Sequence, residues 1–476
     1  MEIVGAITEQ MKRNDHVSLD IDKLTESVQE ELKSLHAFSD KCSIYRVPKR
    51  LRGSREYAYT PQTVSIGPIH HGKEELKEME VHKKLYLKEF LKLGKVSVEK
   101  YIVAIAERET RLRNCYADNF EQITTEDFVK MMLLDTSFII MVFLKQCAVD
   151  FQINDDRIFC KPWRIVEVIF DMCLLENQIP FFILDDLLKL AEIRIQGEAG
   201  YSMIELTRAF FTDAFGDSWV PKDILKQINS SEVEHFVDFL RICKRPKKGK
   251  QRKPLQTRTT PSVMELHQSG VKFQCGSSET LFDINFDFEK GILEIPPLFF
   301  KDYTEKLFRN LNAFEQCHYS DGCVSDYIAT INFLVRATND VEILAKKGII
   351  DNWLSDNDAV MRVLHDLGRE NKVNPKLFYF ADVVDDLNKY CRKRRHRWIA
   401  ALKQTFFHNP WVSTSVAAAG ALLILTVIQA VCSVIQKVDP VVSSDPYLRV
   451  TLTFSPNEVF ATIDRSQKHT KVSITL

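Results

Sequence analysis

The chain has 476 residues with 64 Lys and Arg against 65 Asp and Glu, a formal net charge of -1, and is 45% apolar and 27% charged. That is ordinary globular material with enough length for two or three cores, and the near-zero charge argues against a generally nucleic-acid-binding body. The 11 cysteines are scattered, odd in number and free of any C-x-x-C pair or zinc spacing, so they read as reduced, largely buried thiols.

No targeting segment opens the chain, because MEIVGAITEQMKRND lacks a basic start followed by an apolar run. Residues 1–40 are polar, with one short helix carried by Leu24, Val28, Leu32 and Leu35. From Ser43 to His71 three prolines and two glycines forbid helix, and extended segments and turns are expected. Helices follow, one with Leu76, Met79, Lys83, Tyr86, Phe90 and Leu93 on a face, the next with Val98, Tyr101, Ile102, Ile105, Leu112 and Tyr116.

Phe128 to Leu144 is apolar on nearly every side, interrupted by Lys130 and Asp135, and reads as the central helix of a bundle. Pro162 opens another helix, and DMCLLENQIPFFILDDLLKL breaks near Pro180. Glu176, Asn177 and Gln178 there read as a satisfied polar joint between helices. Lys244 to Pro254 holds seven bases, two prolines and a glycine, and reads as a mobile linker (244–260) between body parts 41–243 and 261–391.

In the second part, Phe282, Ile284, Phe286 and Phe288 alternate with acids and an amide, predicting a strand that turns at Glu289, Lys290 and Gly291. Asp283, Asn285, Asp287, Glu289 and Glu294 mimic the spacing of a calcium loop. Phe288 stands where that loop needs its sharp turn, so a strand is preferred. Helices return from Asp302, and Pro375 is expected to start a long one running through the basic residues 392–410.

Trp411 to Ile435 is then a run of 25 residues without one charge, long enough to cross a hydrocarbon core of about 30 Å at about 1.5 Å per residue. Arg392, Lys393, Arg394, Arg395, Arg397 and Lys403 precede it, marking that side as cytosolic and suited to lipid headgroups. Ser413, Ala417 and Ala421, with Gly420, form a small-residue row that would let two copies pack as a homo-oligomer. The tail, 436–476, shows a weak alternation at Leu448, Val450, Leu452 and Phe454, enough for no more than a hairpin.

The expected fold is therefore mainly α, a multi-helix body with a small β-hairpin and a C-terminal transmembrane helix. The expected partners are the bilayer and unidentified proteins. No phosphate loop, nucleophile elbow, zinc helix or kinase set is present, and no catalytic, cofactor or metal residues are assigned. The rival is an enzyme with a dispersed site around His70, His71 or Glu176; His82 completes that imidazole group.

VPKRLR, YTPQTVSIGPIHHGK, FVKMMLLDTSFII, LLENQIPFFIL, ELHQSGVKF, LEIPPLFFKDYTEKLFRNLNAFEQC and KKGIIDNWL, in this order and followed by NPW before the apolar run, resemble the plant family called domain of unknown function 247. The resemblance implies a plant source, a helical body, a C-terminal anchor and no established catalysis. Some relatives are associated with pollen recognition in grass self-incompatibility, which implies signalling or recognition. The family supplies no catalytic residues, and the tail after Val438 is longer than its pattern.

Overall fold

The computed structural model describes residues 20–34, 42–147 except 54, 156–193, 201–245 except 217–218 and 222–227, 252–393 except 258, 279 and 321, 414–415, 418–430, 448–455, 458–465 and 468–475. It divides into two units, Met1–His267 with Val271–Arg392, and Lys393–Leu476 with Gln268–Gly270.

The first unit begins with α1 (Ile21–Ser34) and the short α2 (Lys49–Arg52). Then come α3 (Lys77–Leu93), α4 (Val98–Ala106), α5 (Glu109–Arg113) and α6 (Thr125–Cys147). Pro162 sits at the first turn of α7 (Pro162–Met172), where a missing N–H costs nothing, and α8 (Phe181–Ala191) restarts after Pro180. A Ser202 and Glu205 capping box opens α9 (Met203–Phe215), and α10 (Phe236–Lys244) closes this half.

Every side chain of α6 from Phe128 to Lys145 is buried except Lys130, and α3, α4, α8 and α9 pack around it. Apolarity on all sides makes α6 the bundle's centre.

After α11 (Val263–Gln268) the chain forms β1 (Lys272–Cys275), β2 (Asn285–Asp287), β3 (Ile292–Ile295) and β4 (Leu298–Phe300). The expected hairpin is β2 against β3, with Phe286 opposite Leu293, and β1 adds in parallel to β3. Gly291 turns it at φ +64°, with Tyr390 pressed against its Cα. The paired strand is shorter than the alternation predicts, because Phe282 and Ile284 enter the core before pairing starts. Asp287 spends its carboxylate on the turn, accepting from the Glu289 and Lys290 amides at 3.1 and 3.0 Å. Among the described residues no group of His, Cys, Asp or Glu is gathered to hold a metal.

Helices α12 (Thr304–His318), α13 (Cys323–Leu334), α14 (Thr338–Lys346), α15 (Asn357–Arg369) and α16 (Ala381–Arg392) complete the unit, and β5 (Ile350–Asn352) pairs in parallel with β4. The contact of α10 with α12 joins both halves into one apolar core.

One expectation changes here, and of the expected linker, residues 246–251 lie outside the described residues. Pro375 starts no helix, because Asn374 takes the Lys376 amide in a turn and Phe378 pairs with Lys253 in a β-bridge, so α16 begins only at Ala381. The basic stretch is pinned at both ends: Lys244 is buried with its ammonium 4.7 Å from the Trp219 ring centre, and Arg252 binds Asp326 at 3.0 Å. The chain on either side of it belongs to one unit.

In the second unit, residues 418–430 are helical, and β6 (Leu448–Ser455), β7 (Glu458–Arg465) and β8 (Lys468–Thr475) form an antiparallel meander, one strand more than a hairpin. Among the described residues no helix is long and apolar enough to cross a membrane, so the expected transmembrane helix is not part of the described fold. The described helix at 418–430 covers only about 20 Å at about 1.5 Å per residue. Gly420 and Ala421 lie on it, exposed. Trp411, Ser413, Ala417 and Ile435 lie outside the described residues, as do Arg394, Arg395, Arg397 and Lys403. Arg392 ends α16, and Lys393 follows it, both exposed.

Candidate functional site

The arm from Ser43 to His70 has no long ladder to satisfy its backbone, since Pro48, Pro61 and Pro68 interrupt it and Gly53 and Gly67 take positive φ. Its buried N–H groups must find acceptors elsewhere. Side chains of α6, α7, α12 and the joint between α7 and α8 provide them. Glu176 accepts from the Val47 amide at 2.6 Å, Asp171 from those of Gln62, Thr63 and Val64 at 2.7–3.2 Å, Asn177 from Ile66 at 2.7 Å and Asp135 from Gly67 at 2.8 Å. Asn310 of α12 donates to the Ala58 carbonyl at 2.8 Å and accepts from the Leu175 amide at 2.9 Å.

Glu176, Asn177 and Gln178 sit between α7 and α8, where the helix stops before Pro180, and all three are fully buried. Asn177 also donates to the carbonyls of Val64 and Asp171. Gln178 donates to those of Met172 and Leu174 and accepts from the Phe236 amide at 3.0 Å. The three residues thus tie the arm, two helix ends and the start of α10 to one point.

The arm brings charge to that joint. Arg52 donates to Glu176, and His70 Nε2 lies 3.1 Å from Glu176 Oε2. Burial alone would raise the Glu176 carboxyl, but His70 and Arg52 hold it below its ordinary value; burial lowers the His70 imidazole. At neutral pH the group is a carboxylate with a guanidinium and a neutral ring. His71 is exposed, and His82 is buried on α3, so of the dispersed enzyme set the fold brings together only His70 and Glu176.

A second buried pair lies alongside. Lys83 Nζ meets Asp135 Oδ1 at 2.6 Å, with Glu80 at 2.6 Å and the Ser65 carbonyl completing its shell. In the sequence Lys83 falls in an apolar stripe and Asp135 interrupts an apolar run. Opposite charges each out of place on an apolar helix were the signal that they meet. Arg52, Asp171 and Asn310 carried no such signal.

The geometry defines a helical body that clamps an irregular arm through buried polar side chains. Residues 44–425 match the family described as "DUF247: Plant protein of unknown function", and the chain belongs to that family. It is 27% identical over 430 residues to the Arabidopsis thaliana "UPF0481 protein At3g47200", covering 84% of this chain and 87% of that one. A "Putative UPF0481 protein At3g02645" from the same plant is 23% identical over 485 residues, covering 81% and 89%. No solved structure matches.

Proposed function

We propose that this chain is a membrane-anchored interaction protein, held by Trp411 to Ile435 with its helical body in the cytosol and serving signalling or recognition rather than catalysis. The observation that carries the reading is the uncharged run itself, bordered upstream by Arg392, Lys393, Arg394, Arg395, Arg397 and Lys403. Within it, Leu422, Leu423, Ile424, Leu425 and Ile428 are all more than half exposed, an apolar surface that hydrocarbon would cover at a gain of about 25 cal/mol per Å². The joint at Glu176 supports a binding body, since Glu176, Asn177 and Gln178 all hold backbone groups of the arm or of neighbouring helix ends.

Full-length protein should stay with the pellet after carbonate washing of membranes, and protease added to sealed vesicles should remove an N-terminal tag while sparing a C-terminal one. Recovery of intact chain in the carbonate supernatant would overturn the anchor, and the reverse protection pattern would overturn the orientation.

A further inference from the structure

The side of α3 turned away from α6 combines charge and apolarity in a way the body does not use. Val81 and Leu85 are 59% and 51% exposed, and Lys77, Lys84, Lys88 and Lys92 lie around them at helical three- and four-residue steps. The acids of this helix are committed elsewhere: Glu78 to Arg164 at 3.1 Å, Glu80 to Lys83 at 2.6 Å and Glu89 to Lys145 at 2.7 Å. Lys84, Lys88 and Lys92 enter no salt bridge among the described residues, and only Lys77 is neutralised, by Glu74.

The Glu78 to Arg164 bridge sets the start of α7 beside this face, and there Trp163 is 53% exposed with Arg157 and Lys161 also exposed nearby. Exposed bases outside any ion pair among the described residues, two aliphatic side chains and an exposed indole suit an interface with a polar charged layer above an apolar one.

We propose that the outward face of α3 and the start of α7 form a docking surface for an anionic lipid bilayer. The proposal deepens the membrane reading by giving the body its own contact with the lipid, but it stands on these helices and does not need the span. Lysine ammonium groups would sit among the headgroup phosphates and carboxylates, with Val81, Leu85 and Trp163 reaching the acyl boundary. A cytosolic leaflet, rich in anionic lipid, supplies the complementary charge.

The test places an environment-sensitive fluorescent amino acid at position 85 of the full-length protein and adds vesicles of phosphatidylcholine, alone or with phosphatidylserine. The expected result is a blue shift only with phosphatidylserine, reduced by added salt. Lys84→Glu, Lys88→Glu and Lys92→Glu together should weaken the vesicle concentration dependence of that shift by on the order of 100-fold or more. All three positions are exposed, so circular dichroism should be unchanged. A probe that stays in water with phosphatidylserine, or shifts equally with phosphatidylcholine, overturns the proposal. So does a shift produced by soluble polyglutamate and not by vesicles, which would mark an acidic protein partner. Co-sedimentation with phosphatidylcholine reports the span separately, so the two readings fail independently.

Discussion

The arm from Ser43 to His70 and the aromatic cluster around Phe211 both bury against α6, but by different physics. Phe211 has ring neighbours Phe143, Phe210, Phe215, Phe236 and Phe239 at 5.2–6.2 Å, contacts that tolerate change of shape if volume is kept. The arm is held by single hydrogen bonds from single side chains, each of which has one geometry and, when cut, strands a polar group in the core. The cluster supplies stability that many sequences would supply, whereas the arm is held by particular residues.

The contrast is sharpest at Lys83. Lys83→Ala should cost about 3–5 kcal/mol in urea unfolding because it leaves Asp135 buried without its cation, whereas Phe211→Leu should cost only about 1 kcal/mol. Lys83→Met combined with Asp135→Asn should restore at least half of the loss, since the pair leaves together and Gly67 keeps an acceptor. If the double variant is no better than the single one, the pair is not the clamp described.

A pH titration separates the two regions next. Burial raises the Asp171 carboxyl to about 6, although the amides of Val64, Gln62 and Thr63 pull it down. The folded chain therefore holds a proton that the unfolded chain has released. Its contribution, about 3 kcal/mol, is complete below pH about 4 and is lost as pH rises through about 6. Asp171→Asn lacks this slope, so its stability gap to the parent should narrow between pH 4 and 6. A gap that widens would mean the three amides outweigh burial.

Gly67→Ala should follow at about 2 kcal/mol, because φ is +71° and an added Cβ would lie 2.5 Å from the Gln178 carbonyl, a backbone atom that cannot step aside. The smallest effect belongs outside both regions: breaking the exposed Lys346 to Glu342 pair with Lys346→Ala should change stability by less than about 0.5 kcal/mol.

The two regions also differ in how far they could be read in advance. Helix α6 was legible because apolarity on nearly every side over that length, broken only by Lys130 and Asp135, has one outcome in a globular body, and Glu176, Asn177 and Gln178 because three polar residues beside Pro180 need partners. The hairpin was legible from its alternation and from Gly291. The identity of the partners was not, since Arg52 and Asn310 lie far from the joint in the chain and any exposed position would suit them equally well. Pro375 misled because a helix start and a turn ask the same φ of proline, and only the bridge from Phe378 to Lys253 decides between them. The meander at 448–475 was under-read because the alternation is weak and shortens along it, from Leu448, Val450, Leu452 and Phe454 to Val459, Ala461 and Ile463 and then Val472 and Ile474.

Asn310 holds the Ala58 carbonyl across 252 residues of chain. During synthesis at about 5–20 residues per second, the arm leaves the ribosome more than about 10 s before α12 exists to receive it. The arm's amides meet Asp135, Asp171, Glu176 and Asn177 well before that, but throughout the interval the Ala58 carbonyl has only water or a chaperone in place of Asn310, so this tie closes only once α12 is translated.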